Sequence, residues 1–86
     1  MALVKIEQLD KTEIVGEFKH VQCRHATWVE DNGVMVGGKE FHRHVIAPGD
    51  DVSNEPAETQ AIVAAVHTPA VISAYNEMVA AQELGV

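Results

Sequence analysis

The chain has a single cysteine, only two Phe, one Trp and one Tyr in 86 residues, and no lysine or arginine after Arg43. One thiol excludes an intrachain disulfide framework, so so small a fold rests on a modest core or on assembly with other chains. The longest apolar run, Ala61 to Val66, falls well short of the ~20 residues that span a bilayer. The opening Met-Ala-Leu-Val-Lys-Ile-Glu carries charges where a signal peptide needs an unbroken apolar stretch. Synthesis in a reducing cytoplasm is therefore expected. A glycine-rich phosphate loop is missing too, because Gly37-Gly38 precedes no predicted helix.

The formal net charge is −7, and it is unevenly spread. All six basic residues lie between Lys5 and Arg43, where seven acidic residues nearly balance them; from His44 onward six acidic residues stand alone. An acidic half of this kind excludes nucleic acid as the expected partner, since phosphates demand a basic footprint. It equally excludes an anionic membrane surface. Basic protein surfaces remain compatible with it.

What the sequence does contain is one unusually long predicted β-hairpin, about 17–47, turning at Asp31-Asn32-Gly33. An Asn-Gly pair supplies the positive φ angles that a type I′ turn needs, and it stands between two strand-like runs. Each arm of about a dozen residues spans roughly 40 Å at ~3.3 Å per residue, against a usual strand of about 5 or 6 residues. So long a ribbon cannot bury both faces in a chain of this size. It must curl into a barrel-like sheet or reach a neighbour, and either outcome points to binding. Inside the return arm, Gly37-Gly38 suggests a β-bulge. A bulge there opposes Val21 with Val45, Cys23 with Arg43 and His25 with Phe41. Without it, Val21 meets His44, Cys23 meets His42 and His25 meets Glu40. The bulged register pairs apolar with apolar more often and is the one expected.

Ahead of the hairpin, Ala2 to Leu9 reads as a first strand closed by a turn at Asp10-Lys11-Thr12, with Ile14-Val15-Gly16 as a second strand start or a bend. Pro48-Gly49 stops the return arm. An acidic loop then feeds a helix beginning near Asn54 or Glu55, with Pro56 in its first turn and Ile62, Val63 and Val66 on its apolar face. Thr68-Pro69 starts a second helix running to about Glu83, with Val71, Ile72, Tyr75, Met78 and Val79 as one stripe. The expected fold is a single α+β domain over 1–86: a small antiparallel sheet (1–48) dominated by the hairpin, an acidic loop (49–55), and two short C-terminal helices (56–83) covering one sheet face.

Four of the five histidines and the cysteine fall on the hairpin arms. Residues two apart on a strand share a face, so Cys23, His25, His42 and His44 form a Cys/His set for Zn²⁺ if the arms pair without a bulge. In the bulged register the set divides between opposite faces, and the spacing matches no zinc-ribbon or finger pattern; the expectation is no metal and no cofactor, with those residues as the alternative. Histidines sensing pH at an interface are a further reading. Arg43 is expected to pair with Asp50 or Asp51, or else to take a partner's carboxylate. Asp50, Asp51, Asn54, Glu55 and Glu58 lack the spacing of a calcium loop. Cys23 with His25 has the residue types of a thiol and base, but on a strand with no oxyanion donor, so no enzyme is expected. Trp28, near the hairpin tip, is either an anchor for a partner's pocket or local packing.

The runs Val21-Gln22-Cys23-Arg24, Asp31-Asn32-Gly33, Phe41-His42-Arg43-His44-Val45-Ile46-Ala47-Pro48-Gly49-Asp50-Asp51 and Val66-His67-Thr68-Pro69 together resemble small uncharacterised proteins encoded among the late, structural genes of tailed bacteriophages. The resemblance covers about 17–80 and implies a virion component or assembly accessory of the tail, its fibres or the capsid, made in the host cytoplasm. The expected function is thus non-enzymatic: docking on other phage structural proteins, in multiple copies or as a homo-oligomer, by strand addition and burial of the helical stripe. Contact residues expected from the sequence are Trp28, Val34, Met35, Phe41 and Arg43, followed by Tyr75 and Met78. The alternative is a small acidic phage-encoded inhibitor that blocks a basic surface of a host or defence protein.

Overall fold

The computed structural model describes residues 2–84. In chain order the elements are β1 (Leu3–Val15), β2 (His20–Asp31), β3 (Val34–Ile46), α1 (Ala57–Val66) and α2 (Pro69–Leu84). The strands form one antiparallel sheet with β2 in the middle, and the two helices follow, giving the expected α+β class. The chain divides into two compact units, Met1–Glu13 with Gln22–Val45 and Ile14–Val21 with Ile46–Val86.

The first unit is a three-stranded ribbon. β2 stops at Asp31 and β3 starts at Val34, and the two residues between them have φ values of 53° at Asn32 and 83° at Gly33. That pair of positive angles is the type I′ geometry whose twist matches the strands it joins. The backbone N–H of Ala2 donates to Asp31 Oδ1 at 3.3 Å, which sets the start of β1 beside the hairpin tip.

β1 differs from expectation: it runs unbroken through Asp10-Lys11-Thr12 instead of turning there. Local turn preference is weak against a continuous ladder to β2, and the Asp10 carboxylate accepts from Arg24 across that ladder. β3 is exposed from Val34 to Arg43, so that stretch of sheet is covered on neither face.

The register also corrects the expectation. Gly37 does adopt the left-handed φ of 75° that a bulge residue uses. Yet a net one-residue slip would carry Arg24 and Phe41 to opposite faces, and instead the Arg24 guanidinium lies 4.6 Å from the Phe41 ring centroid. Likewise His25 stacks on His44, with centroids 5.2 Å apart. The offset between the arms is therefore even, and the side chains share faces as in the unbulged alternative.

In the second unit, the turn before β2 closes with Lys19 N–H donating to the Gly16 carbonyl at 3.2 Å. After β3, Asp50 N–H donates to the Ala47 carbonyl at 3.1 Å, with Pro48 and then Gly49 at φ 92° between them. Proline second and a positive-φ glycine third make a type II turn, and this explains why the strand stops where it does. α1 begins at Ala57 with Pro56 as its N-cap, slightly later than expected. Its buried residues are Thr59 and Val63. At the start of α2, Thr68 Oγ1 accepts the Val71 N–H at 3.3 Å, as the Thr-Pro pair predicts. Val71, Ile72, Tyr75, Met78 and Val79 are all half-buried, so the stripe read from the sequence is the inward side of this helix.

His67, buried at the junction of the helices, connects them to the turn before β2. Its Nε2 lies 2.6 Å from the Lys19 carbonyl oxygen, which can only accept, so Nε2 carries the proton and donates. Lys19 itself sits at φ 55°, a strained value for a residue with a side chain, and this bond helps hold it there. Tyr75 packs against the same turn, edge-on to Phe18 at 5.6 Å and to His20 at 5.4 Å.

Two stability outcomes follow. His67→Ala leaves the Lys19 carbonyl without its donor and opens a void, and thermal unfolding should show a loss of about 1–3 kcal/mol. Thr59→Val should act oppositely. The Thr59 hydroxyl is fully buried and has no hydrogen-bond partner among the described residues. Replacing it with a methyl of similar shape should raise stability by up to about 1 kcal/mol in the same measurement.

Candidate functional site

The first unit presents two chemically different faces. On one, β2 contributes Arg24 and Trp28, β3 contributes Lys39 and Phe41, and β1 contributes Asp10. Arg24 grips Asp10 with two parallel bonds, Nε to Oδ1 at 2.9 Å and Nη2 to Oδ2 at 2.7 Å. The same guanidinium lies over Phe41. Further toward the tip, the Lys39 ammonium sits 4.6 Å from the Trp28 ring centroid. Ala26, between these two cation–aromatic pairs in β2, is buried at 1 % exposure. Long cationic side chains thus give the small and aromatic residues of this face a cover that no second sheet supplies.

The opposite face carries the histidines. Cys23 is buried, and its Sγ lies within 4.8 Å of a His44 ring nitrogen. His25 stacks on His44 with the rings inclined by 15°, and Glu7 Oε1 on β1 lies 3.8 Å from His25 Nδ1. Nearer the tip, Lys5, Thr27, Val29, Val36 and Glu40 line a shallow cleft of about 180 Å³.

At the tip the ribbon becomes apolar. Leu3, Val4, Val34, Met35 and Val36 are 46–68 % exposed, and Val29 lies beside them at 37 %. They gather at this end, on both faces, because β1 starts where β2 ends and β3 begins, as the Ala2–Asp31 bond records. Single exposed apolar residues are ordinary, but a cluster at one end of a ribbon is the mark of an interaction surface.

Of the contact residues expected from the sequence, Val34, Met35, Phe41 and Arg43 are exposed. Trp28 is half-buried and held, its Nε1–H donating to Glu30 Oε2 at 2.8 Å under the Lys39 ammonium. Tyr75 and Met78 are half-buried in α2, Tyr75 within its ring contacts. Cys23 and His44 come together and His25 stacks on His44, while His42 is exposed. Asp50 and Asp51, which the sequence offers to Arg43, accept hydrogen bonds within their own loop, from Ala47 N–H at 2.8 Å and Ser53 N–H at 2.9 Å.

The Asp10–Arg24 pair is not legible in the sequence, because Asp10-Lys11-Thr12 has the composition of a turn. Sequence reasoning also missed Leu3, Val4, Val29 and Val36 at the tip. The available signal was the apolar run Val34-Met35-Val36 directly after the Asn-Gly turn, which marks both arms there as exposed.

The ion pairs shape the electrostatics. Arg24's hydrogen bonds lower the Asp10 pKa below its ordinary value and raise that of the guanidinium. Lys11, with Nζ at 2.7 Å, lowers the Glu13 pKa, and the Ser53 backbone lowers that of Asp51. Among the described residues no helix is long and apolar enough to cross a membrane. Comparison with protein-family models, curated proteins and solved structures finds no match.

A depressed folded-state carboxyl pKa contributes stability above the unfolded value, which is about 3.9 for Asp, and that contribution disappears as pH falls through the folded value. Melting profiles of the wild type and Asp10→Asn should therefore differ at neutral pH and converge in strong acid. A gap that persisted below about pH 2 would assign the difference to packing instead of ionisation.

Proposed function

We propose that this chain is a non-enzymatic structural or assembly protein of a bacteriophage virion, which docks on a tail, tail-fibre or capsid assembly through its β-ribbon. The observation that carries the docking role is the apolar tip, where Leu3, Val4, Val34, Met35 and Val36 stand in solvent on strands with little core of their own. The phage setting comes from the resemblance in sequence over about 17–80.

Two features support strand addition as the mechanism. β1 and β3 each run 13 residues, and each is an outer strand with one ladder edge unpaired in the sheet. Neither contains proline, the residue that most simply blocks an edge. Backbone groups along such an edge supply generic affinity, and the exposed side chains at the tip supply choice of partner. Homo-oligomers or multiple copies on an assembly follow naturally from an edge of this kind, because β1 of one copy and β3 of the next can continue one sheet.

The test replaces Val34, Met35 and Val36 with lysine together and measures mass in solution by light scattering and co-assembly with phage structural proteins. Circular dichroism should show the sheet retained, since these side chains are exposed. Association should fall at least 10-fold. Association unchanged by the triple substitution, but slowed at low salt when Asp50, Asp51, Glu55 and Glu58 are neutralised, would replace this reading with the acidic inhibitor.

A further inference from the structure

The even offset between β2 and β3 gathers soft ligands on the histidine face. Cys23 Sγ and a His44 nitrogen already lie within 4.8 Å. His25 stacks on His44 at 5.2 Å, and strand alternation puts His42 on the same side as His44.

We propose that Cys23 and His44 anchor a binding site for a Zn²⁺-class cation, with His25 and His42 of the same face, or water, completing it. A tetrahedral site with Zn–S near 2.3 Å and Zn–N near 2.0 Å holds its sulfur and nitrogen ligands roughly 3.5 Å apart. Cys23 and His44, at no more than 4.8 Å, stand within about 1.3 Å of that spacing. Thiolate plus imidazole is the donor combination that prefers Zn²⁺ over Mg²⁺ or Ca²⁺. Glu7 completes the arrangement. Its carboxylate lies 3.8 Å from His25 Nδ1, near enough to become an outer-shell partner of that ring. Binding exchanges the thiol proton of Cys23 for a metal–sulfur bond and releases that proton to solvent. The ion then cross-links β2 to β3 far from the Asn32-Gly33 turn, where the ribbon's own ladder has no loop to hold it.

Cobalt titration of the full-length protein, chelator-treated and kept reduced, tests this. The expected result is a near-ultraviolet thiolate-to-cobalt charge-transfer band that saturates at about one equivalent and is bleached by added Zn²⁺. Cys23→Ser should abolish the band. His44→Gln, a milder change at a half-buried position, should weaken cobalt affinity at least 10-fold, and Glu7→Gln should weaken it about 10-fold through His25. His20→Gln, which lies in the other unit, should leave it unchanged. Absence of the charge-transfer band, or a band equally strong in His44→Gln, would overturn the site. Neither outcome touches the docking role of the tip, which has a separate readout in mass and association.

Discussion

The ribbon is a single layer of sheet, and most of what the first unit displays follows from that constraint. A sheet normally hides one face against a second layer. Here β3 is exposed on both faces over ten residues, 34–43, and its apolar side chains have no such shelter. Arg24 and Lys39 supply a substitute. Their alkyl stems and planar or compact charges lie on Phe41 and Trp28, and the Asp10 carboxylate fixes Arg24 in the orientation that this needs. Polar contact and hydrophobic cover are therefore one arrangement, and losing Asp10 disturbs both.

The second unit works by different means. There the covering elements are α1 and α2, rich in alanine, and the specific contacts concentrate around the turn before β2. The Lys19 carbonyl receives His67, while Phe18 and His20 receive the Tyr75 ring. Backbone capping does the rest: the N–H of His67 closes α1 on Val63 at 2.8 Å, and Thr68 opens α2.

Legibility in the sequence tracked how local the deciding physics was. The Asn32-Gly33 turn, the stop at Pro48-Gly49 and the stripe on α2 are each set by a few neighbouring residues, and each was readable. The register was not. Choosing between offsets by matching apolar with apolar assumes that one face is buried, and on a ribbon open on both sides that pattern carries little information. Gly37 gave a true signal of unusual backbone, without revealing whether the slip it permits is odd or even. The full length of β1 is hidden for a related reason. Its half-buried positions, Ile6, Leu9 and Thr12, do not alternate, so no period of two marked its continuation past Asp10. For the candidate site, the cysteine and histidines were visible as a cluster, but their common face depended on that same undetermined offset.

Strand order in the sheet equals strand order in the chain, and this governs how the ribbon comes into being. Only the two residues 32–33 separate β2 from β3, and only 16–19 separate β1 from β2. Every ladder therefore closes over a short loop at small entropic cost, and hairpins of this kind zip within about 1–10 μs. The pairs next to the Asn32-Gly33 turn enclose the shortest loop, and each pair farther from it encloses a longer one. The apolar end is thus the part of the sheet that depends least on distant residues, whereas the pairing of Cys23 with the region of His44 encloses the whole hairpin between them.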